Sequence, residues 1–210
     1  MTAVTLNLDA VTTLSYDQFW HLALANRDAR LELTAQGQLV VMPPTGWESG
    51  KQNMKLGSRL NIWAEADGTG IAFDSSTGFI LPNGAIRSPD AAWVRKDRLE
   101  ALNPDPEKFL PLAPDFVIEL RSATDALKGI QDKMKEYQKN GVRLGWLLNP
   151  KDCEVSIYRP DRDVEVLCWQ HLCVNEATLK DLENSPPSLS GEDVLPGFVL
   201  DLKEVFGVSA

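Results

Sequence analysis

Apolar residues along the chain recur in two rhythms, one of helical and one of strand period. Ser15 and Gln18 are spaced for a capping box and are followed by Phe19, Leu22 and Ala23 on one face, so a capped amphipathic helix is expected over 15–27. "ARLELTAQGQLVVMPP" reads as two short strands around Gly37, ended by the paired prolines. A second helix is expected from Thr45 to Ala66, with Thr45 and Glu48 spaced for a capping box and Gly68 and Gly70 closing it. Short strands are expected near 71–74, 78–81, 91–95 and 116–121, then a helix over 125–140 stopped by Asn140 and Gly141. "RLGWLLN" is a buried strand by its apolar run, and "CEVSIYRPDRDVEVLCW" alternates on both sides of a turn at 159–163, as an antiparallel hairpin does. "GEDVLPGFVLDLKEVF" is expected to pack on the core and end in a short helix.

Helices, a set of strands, one crossing helix and more strands predict an α/β or α+β fold around a central mixed sheet. The 210 residues suit one domain spanning 1–210, and 43% hydrophobic and 24% charged residues are ordinary for a globular chain. No apolar run approaches the ~20 residues that cross a bilayer. The start "MTAVTLNLDA" lacks the basic and apolar segments of an export signal, so a soluble, cytoplasmic protein with no membrane partner is expected. Three cysteines without paired spacing argue against a disulfide framework. Cys168, His171 and Cys173 in "CWQHLC", with Cys153 on the neighbouring hairpin strand, could in principle hold zinc, but their spacing matches no common zinc pattern.

A net charge of -9 weighs against binding polyanions, although its distribution is uneven. Residues 176–210 sum to -5, whereas 121–145 sum to +3. The lysines of that second segment also fit a plain solvated helix face.

Three side chains inside this pattern carry candidate chemistry. Asp90 in "RSPDAAWVR" stands directly ahead of an apolar strand. In "PDFVIELRS", Phe116, Ile118 and Leu120 point one way and Val117, Glu119 and Arg121 the other, leaving Glu119 as a carboxylate in an otherwise apolar strand. Buried and unpaired it would cost several kcal/mol (roughly) or stay protonated, so it needs a cation: Arg121, a lysine, or a metal ion shared with Asp90. On the next helix Leu127, Ile130, Met134 and Tyr137 form the buried stripe, with Lys128, Lys135 and Lys139 opposite and Lys133 on the stripe's edge. Its ammonium can therefore reach the sheet.

Together these residues resemble the PD-(D/E)XK nuclease superfamily, and within it the restriction-endonuclease-like branch known as Uma-two. "MPPTGWESG", "FDSSTGFILPNGAIRSPDAAWV", "FVIELRSATDALKGIQDKMKEYQKNGVRLGWLLNP", "IYRP" and "VLPGF" match that family in order and spacing over nearly the whole chain. The resemblance implies a restriction-endonuclease-like fold, a mixed sheet flanked by helices. It also implies a Mg²⁺ or Mn²⁺ site held by Asp90, Glu119 and the backbone carbonyl of Leu120, with DNA as substrate. In the family's usual pattern a lysine stands two positions after the glutamate; here Arg121 does, and Lys133, fourteen positions after Glu119, stands for the migrated lysine. Arginine cannot deprotonate water but can neutralise developing phosphoryl charge, so Arg121 and Lys133 both remain candidates.

Glu48 is either the extra carboxylate many such nucleases carry on their first core helix or only a capping residue. Asp74 in "FDSSTG" precedes a turn, where Asp needs no special role, and is a candidate site neighbour. Tyr137 is expected in the core. Ser88 would be a nucleophile only beside a histidine, and His21 and His171 lie in other elements. The leading reading is a metal-dependent DNA endonuclease, expected as a homodimer because two antiparallel strands suit two-fold symmetry. The rival readings are a nuclease-fold module that binds DNA or protein without cutting, favoured by the acidic charge and by Arg121, and a metal hydrolase acting on another phosphoester.

Overall fold

The computed structural model describes residues 3–8, 12–169 and 185–207. Strand β1 (Val4–Leu6) precedes helix α1 (Tyr16–Ala25), which starts as expected because both halves of the Ser15–Gln18 capping box form. Strands β2 (Arg30–Leu33) and β3 (Leu39–Met42) make a hairpin whose turn holds Gly37 at φ 77°, a conformation glycine adopts without a Cβ penalty. Helix α2 (Trp47–Asp67) begins two residues later than expected. Its N-cap is Gly46 with no side-chain cap, and Glu48 pairs with Lys51, so the Thr45–Glu48 box does not form. Strands β4 (Gly70–Asp74), β5 (Phe79–Ile80), β6 (Ile86–Arg87) and β7 (Ala91–Arg95) lead into the short helix α3 (Lys96–Leu102). Strand β8 (Phe116–Leu120) is followed by helix α4 (Leu127–Lys139), then by β9 (Leu144–Asn149), β10 (Glu154–Tyr158) and β11 (Glu165–Cys168), the last two being the expected hairpin. Strands β12 (Ser188–Ser190) and β13 (Val199–Asp201) pair with each other ahead of helix α5 (Leu202–Phe206).

The strands gather into two larger sheets rather than one. The first runs β11-β10-β9-β8-β7-β4 and is mixed: β8 and β9 are parallel, with α4 as their crossover, and the other pairs are antiparallel. Alternation along β8 sends Phe116, Ile118 and Leu120 into a core with Leu56 and Leu60 of α2 and Phe198, and Val117 into a core with Met134 and Tyr137 of α4. Leu127 and Ile130 pack on that second core, so the stripe read from the sequence is the buried face of α4. The second sheet, order β1-β3-β2-β6-β5, was not anticipated. Its apolar face (Leu33, Leu39, Ile86) is covered by Phe19 of α1, while Arg30, Glu32, Val40 and Met42 lie on its other face. The chain passes from this sheet to the first over Ser88, Pro89 and Asp90, which sets Asp90 where the two sheets meet. Among the described residues no helix is long and apolar enough to cross a membrane. His171 and Cys173 of the zinc reading lie outside the described residues.

Candidate active site

β7 and β8 pair with Ala91 opposite Ile118, so one step further Asp90 stands opposite Glu119. The two acids separated by 28 residues of sequence are thus neighbours across one ladder. Asp90 is fixed on both oxygens: Oδ2 accepts the backbone N–H of Leu120 at 2.8 Å and Oδ1 accepts Asn53 Nδ2 at 3.2 Å. Burial raises its pKa above the ordinary aspartate value, against those two hydrogen bonds and the charges of Lys133 and Arg30. Glu119 faces α4. Lys133 Nζ lies 2.8 Å from its Oε1, and Tyr137 donates its hydroxyl to the same oxygen at 3.1 Å. Burial, with Asp90 and Glu32 adding repulsion, pushes Glu119 up to about 7 although Lys133 opposes the shift.

Lys133 also donates to Glu32 Oε1 at 2.8 Å and, more weakly, to the Ser88 carbonyl at 3.4 Å. Burial works against its charge, but Glu119 and Glu32 outweigh that and hold its pKa above the ordinary lysine value. It is therefore an ammonium at neutral pH, a donor and not a base. Glu32 is the residue the sequence reading missed. It is 2% exposed, accepts Ser88 N–H at 2.9 Å and pairs with Arg87 at 3.1 Å, and Arg87 pairs in turn with Glu136 at 2.6 Å. Burial disfavours its charge, yet Lys133 and Arg87 overcome this and keep its pKa below the ordinary glutamate value. Glu32 thus ties the second sheet to the segment that carries Asp90 and to the lysine of α4. In the sequence it sits on the polar side of an alternating strand, the pattern of a residue facing water. Only the approach of α4 and of Arg87 buries it.

Not every anticipated residue arrives. Arg121, expected on the face of Glu119, turns away because β8 ends at Leu120; its guanidinium holds Asn149 Oδ1 at 3.0 Å and Asp152. Glu48 lines the same cleft as Asp90 and Glu119, but it is committed to Lys51 and to Gln52. Among the described residues no three His, Cys, Asp or Glu side chains are grouped to hold a metal ion. Asp74 is exposed and accepts from Ser76 and Thr77 in a turn, the ordinary role for Asp there. Among the described residues Ser88 hydrogen-bonds to no histidine, and it contributes backbone atoms to Glu32 and Lys133. Tyr137 is fully buried, as expected, yet its hydroxyl also reaches the site.

Asp90, Glu119 and Lys133 open on a cleft of about 790 Å³ between the polar face of the second sheet, the start of α2 and the start of α4. A family model described as "Putative restriction endonuclease", Uma2, matches residues 16–203. The chain belongs to the Uma2 family. A crystal structure from Anabaena variabilis ATCC 29413, described as "a putative nuclease belonging to DUF820", superposes with a TM-score of 0.72 at 18% identity, covering 92% of this chain and 98% of that one. The chain therefore shares the fold of that structure. No curated protein sequence matches it.

The donor set suits a hard divalent cation. Buried Glu119 and half-buried Asp90 are neighbours across the ladder, and the Oδ1 of Asn53, whose Nδ2 binds Asp90, is buried without a hydrogen-bond partner. Mg²⁺ typically takes one or two carboxylates and completes its shell with water and substrate phosphate, so two acids suffice.

Proposed function

We propose that this Uma2-family protein is a Mg²⁺- or Mn²⁺-dependent endonuclease hydrolysing phosphodiester bonds in DNA. What supports the reading most is the meeting of Asp90 and Glu119 across β7 and β8 with Lys133 on the same glutamate. Asp90 and Glu119 would hold the ion, with the Leu120 carbonyl as a further oxygen. When bound, such an ion polarises a phosphoryl oxygen and acidifies water. Asp90 is pre-oriented for this by Leu120 N–H and Asn53. The Lys133 ammonium has all three donors engaged, the Ser88 carbonyl being the longest contact at 3.4 Å. Releasing that contact frees one donor to orient the attacking water or to meet charge on the phosphoryl group. Arg121, held by Asn149 and Asp152, takes no part in the proposal.

The family description and the neighbour described as a nuclease support a nucleic-acid substrate. A homodimer fits the cutting of two strands, and α2 exposes Trp47, Met54 and Ile62 along one side, an apolar stripe a second copy could cover. Sedimentation of wild type against Met54→Glu tests this; a wild-type monomer defeats it. The activity test is supercoiled plasmid incubated with protein and Mn²⁺ or Mg²⁺. Metal-dependent nicking lost in Asp90→Ala and Lys133→Ala is the expected result. Nicking that survives both substitutions is contamination, and DNA binding without nicking makes the protein a binding module.

A further inference from the structure

Three cations belong to the charged cluster formed by Asp90, Glu119, Glu32 and Glu136, and only two of them are in ion pairs. Lys133 is shared by Glu119 and Glu32, and Arg87 by Glu32 and Glu136. The third is Arg30, the first residue of β2. Alternation puts it on the same face of the strand as Glu32, and its cross-strand partner is Met42, which also lines the cleft. Among the described residues Arg30 makes no ion pair. One end of its guanidinium is anchored by a hydrogen bond from NH2 to the Ser75 carbonyl at 3.0 Å, while its Nε is buried with no hydrogen-bond partner. A guanidinium that lines the cleft without a carboxylate partner is a donor that an anionic ligand can satisfy.

Charge says which acceptor is missing. Four carboxylates, Glu32, Asp90, Glu119 and Glu136, face the three cations Arg30, Arg87 and Lys133, so the cluster carries one excess negative charge when all are ionised. A divalent ion between the two acids offsets that excess, and Arg30, with no carboxylate of its own, is then the cation left to meet an anionic ligand. Arginine's planar fork suits phosphate oxygens, and a guanidinium anchored at one end is pre-organised to receive them.

We infer that Arg30 is a phosphate-binding residue of this cleft, its guanidinium donating to a non-bridging oxygen of the nucleic-acid backbone beside Asp90. This rests on the phosphodiester reading of the site. The contact reads charge, not base identity, so it contributes affinity that is independent of sequence.

The test is binding of a labelled oligonucleotide, as duplex and as single strand, by fluorescence anisotropy in Ca²⁺ across a salt series, with plasmid nicking in Mn²⁺ measured beside it. Arg30→Gln is expected to weaken binding about tenfold and to reduce the salt slope by about one phosphate contact, for any sequence. Arg30→Lys keeps the charge but loses the fork, and is expected to retain part of the affinity. Should Arg30→Gln fail to fold, Arg30→Lys carries the test: a loss of about threefold or more supports the assignment, and wild-type affinity overturns it. Binding by Arg30→Gln with wild-type affinity and slope overturns it, as does a wild-type protein that binds neither oligonucleotide. If Arg30→Gln loses binding while wild type never nicks, the endonuclease reading fails and the phosphate assignment stands. If wild type nicks and Arg30→Gln nicks with the same kcat and KM, the assignment fails and the endonuclease stands.

Discussion

Lys133 and Arg121 compete in the sequence for one role, and their partners separate them. Lys133 touches Glu119 and Glu32, whereas Arg121 is held by Asn149 and Asp152. Lys133→Met should therefore lower kcat for plasmid cleavage at least about 100-fold, the scale for removing one donor that meets developing charge. It should also destabilise the fold by about 3–5 kcal/mol in urea unfolding, because Glu32 and Glu119 lose their shared partner. Arg121→Gln should cost about 1–3 kcal/mol of stability and leave kcat within about threefold. A hundredfold loss of kcat in Arg121→Gln would return that arginine to the chemistry. Glu119 adds a pH signature. Its folded pKa of about 7 lies above the ordinary 4.5, so the folded protein holds that proton more tightly than the unfolded chain. The resulting stability is complete below pH 4.5 and is lost as pH rises through 7. In EDTA, Glu119→Gln should remove this decline, as thermal melting at pH 5, 6, 7 and 8 would reveal. Metal affinity moves the opposite way, since the ligating carboxylate must be unprotonated: Mn²⁺ binding by calorimetry should tighten up to about tenfold per pH unit below 7 and level off above it.

At the level of elements, β7 is the part on which the site depends, because it carries Asp90 into register with Glu119. Its neighbour β4 approaches closely at Gly70, where an added Cβ would stand 2.3 Å from the fully buried Trp93 ring and 2.5 Å from the Val94 carbonyl. Neither can yield easily. Gly70→Ala should destabilise by about 1–3 kcal/mol through overpacking, measurable by urea unfolding, and should weaken activity by displacing β7. Much of this framework was legible in the sequence. The Ser15–Gln18 cap, the stripe of α4, the strand alternation of β8 and the hairpin of β10 and β11 are local patterns that the fold obeys. The second sheet was not legible, because β1, β5 and β6 are two or three residues long and take their identity from partners distant in sequence. Asp90, Glu119 and Lys133 could be found because each breaks an apolar or periodic pattern. Glu32 and Arg30 break none, and only the facing of that strand toward the cleft gives them their surroundings.

Over the whole molecule, a chain of net charge -9 must hold a polyanion locally if the proposed function holds. The cleft offers a way: Arg30 lacks an ion partner among the described residues, and a divalent ion between Asp90 and Glu119 would offset the negative charge beside it. Binding should therefore depend on metal as much as on salt. The most direct measurement is a crystal grown with Mn²⁺ and examined at the manganese anomalous edge. The expected result is one strong peak within about 2.6 Å of a carboxylate oxygen of both Asp90 and Glu119, absent from Asp90→Ala crystals. Crystals at saturating Mn²⁺ with no peak between these acids, Glu119 still held only by Lys133 and Tyr137, would contradict the account.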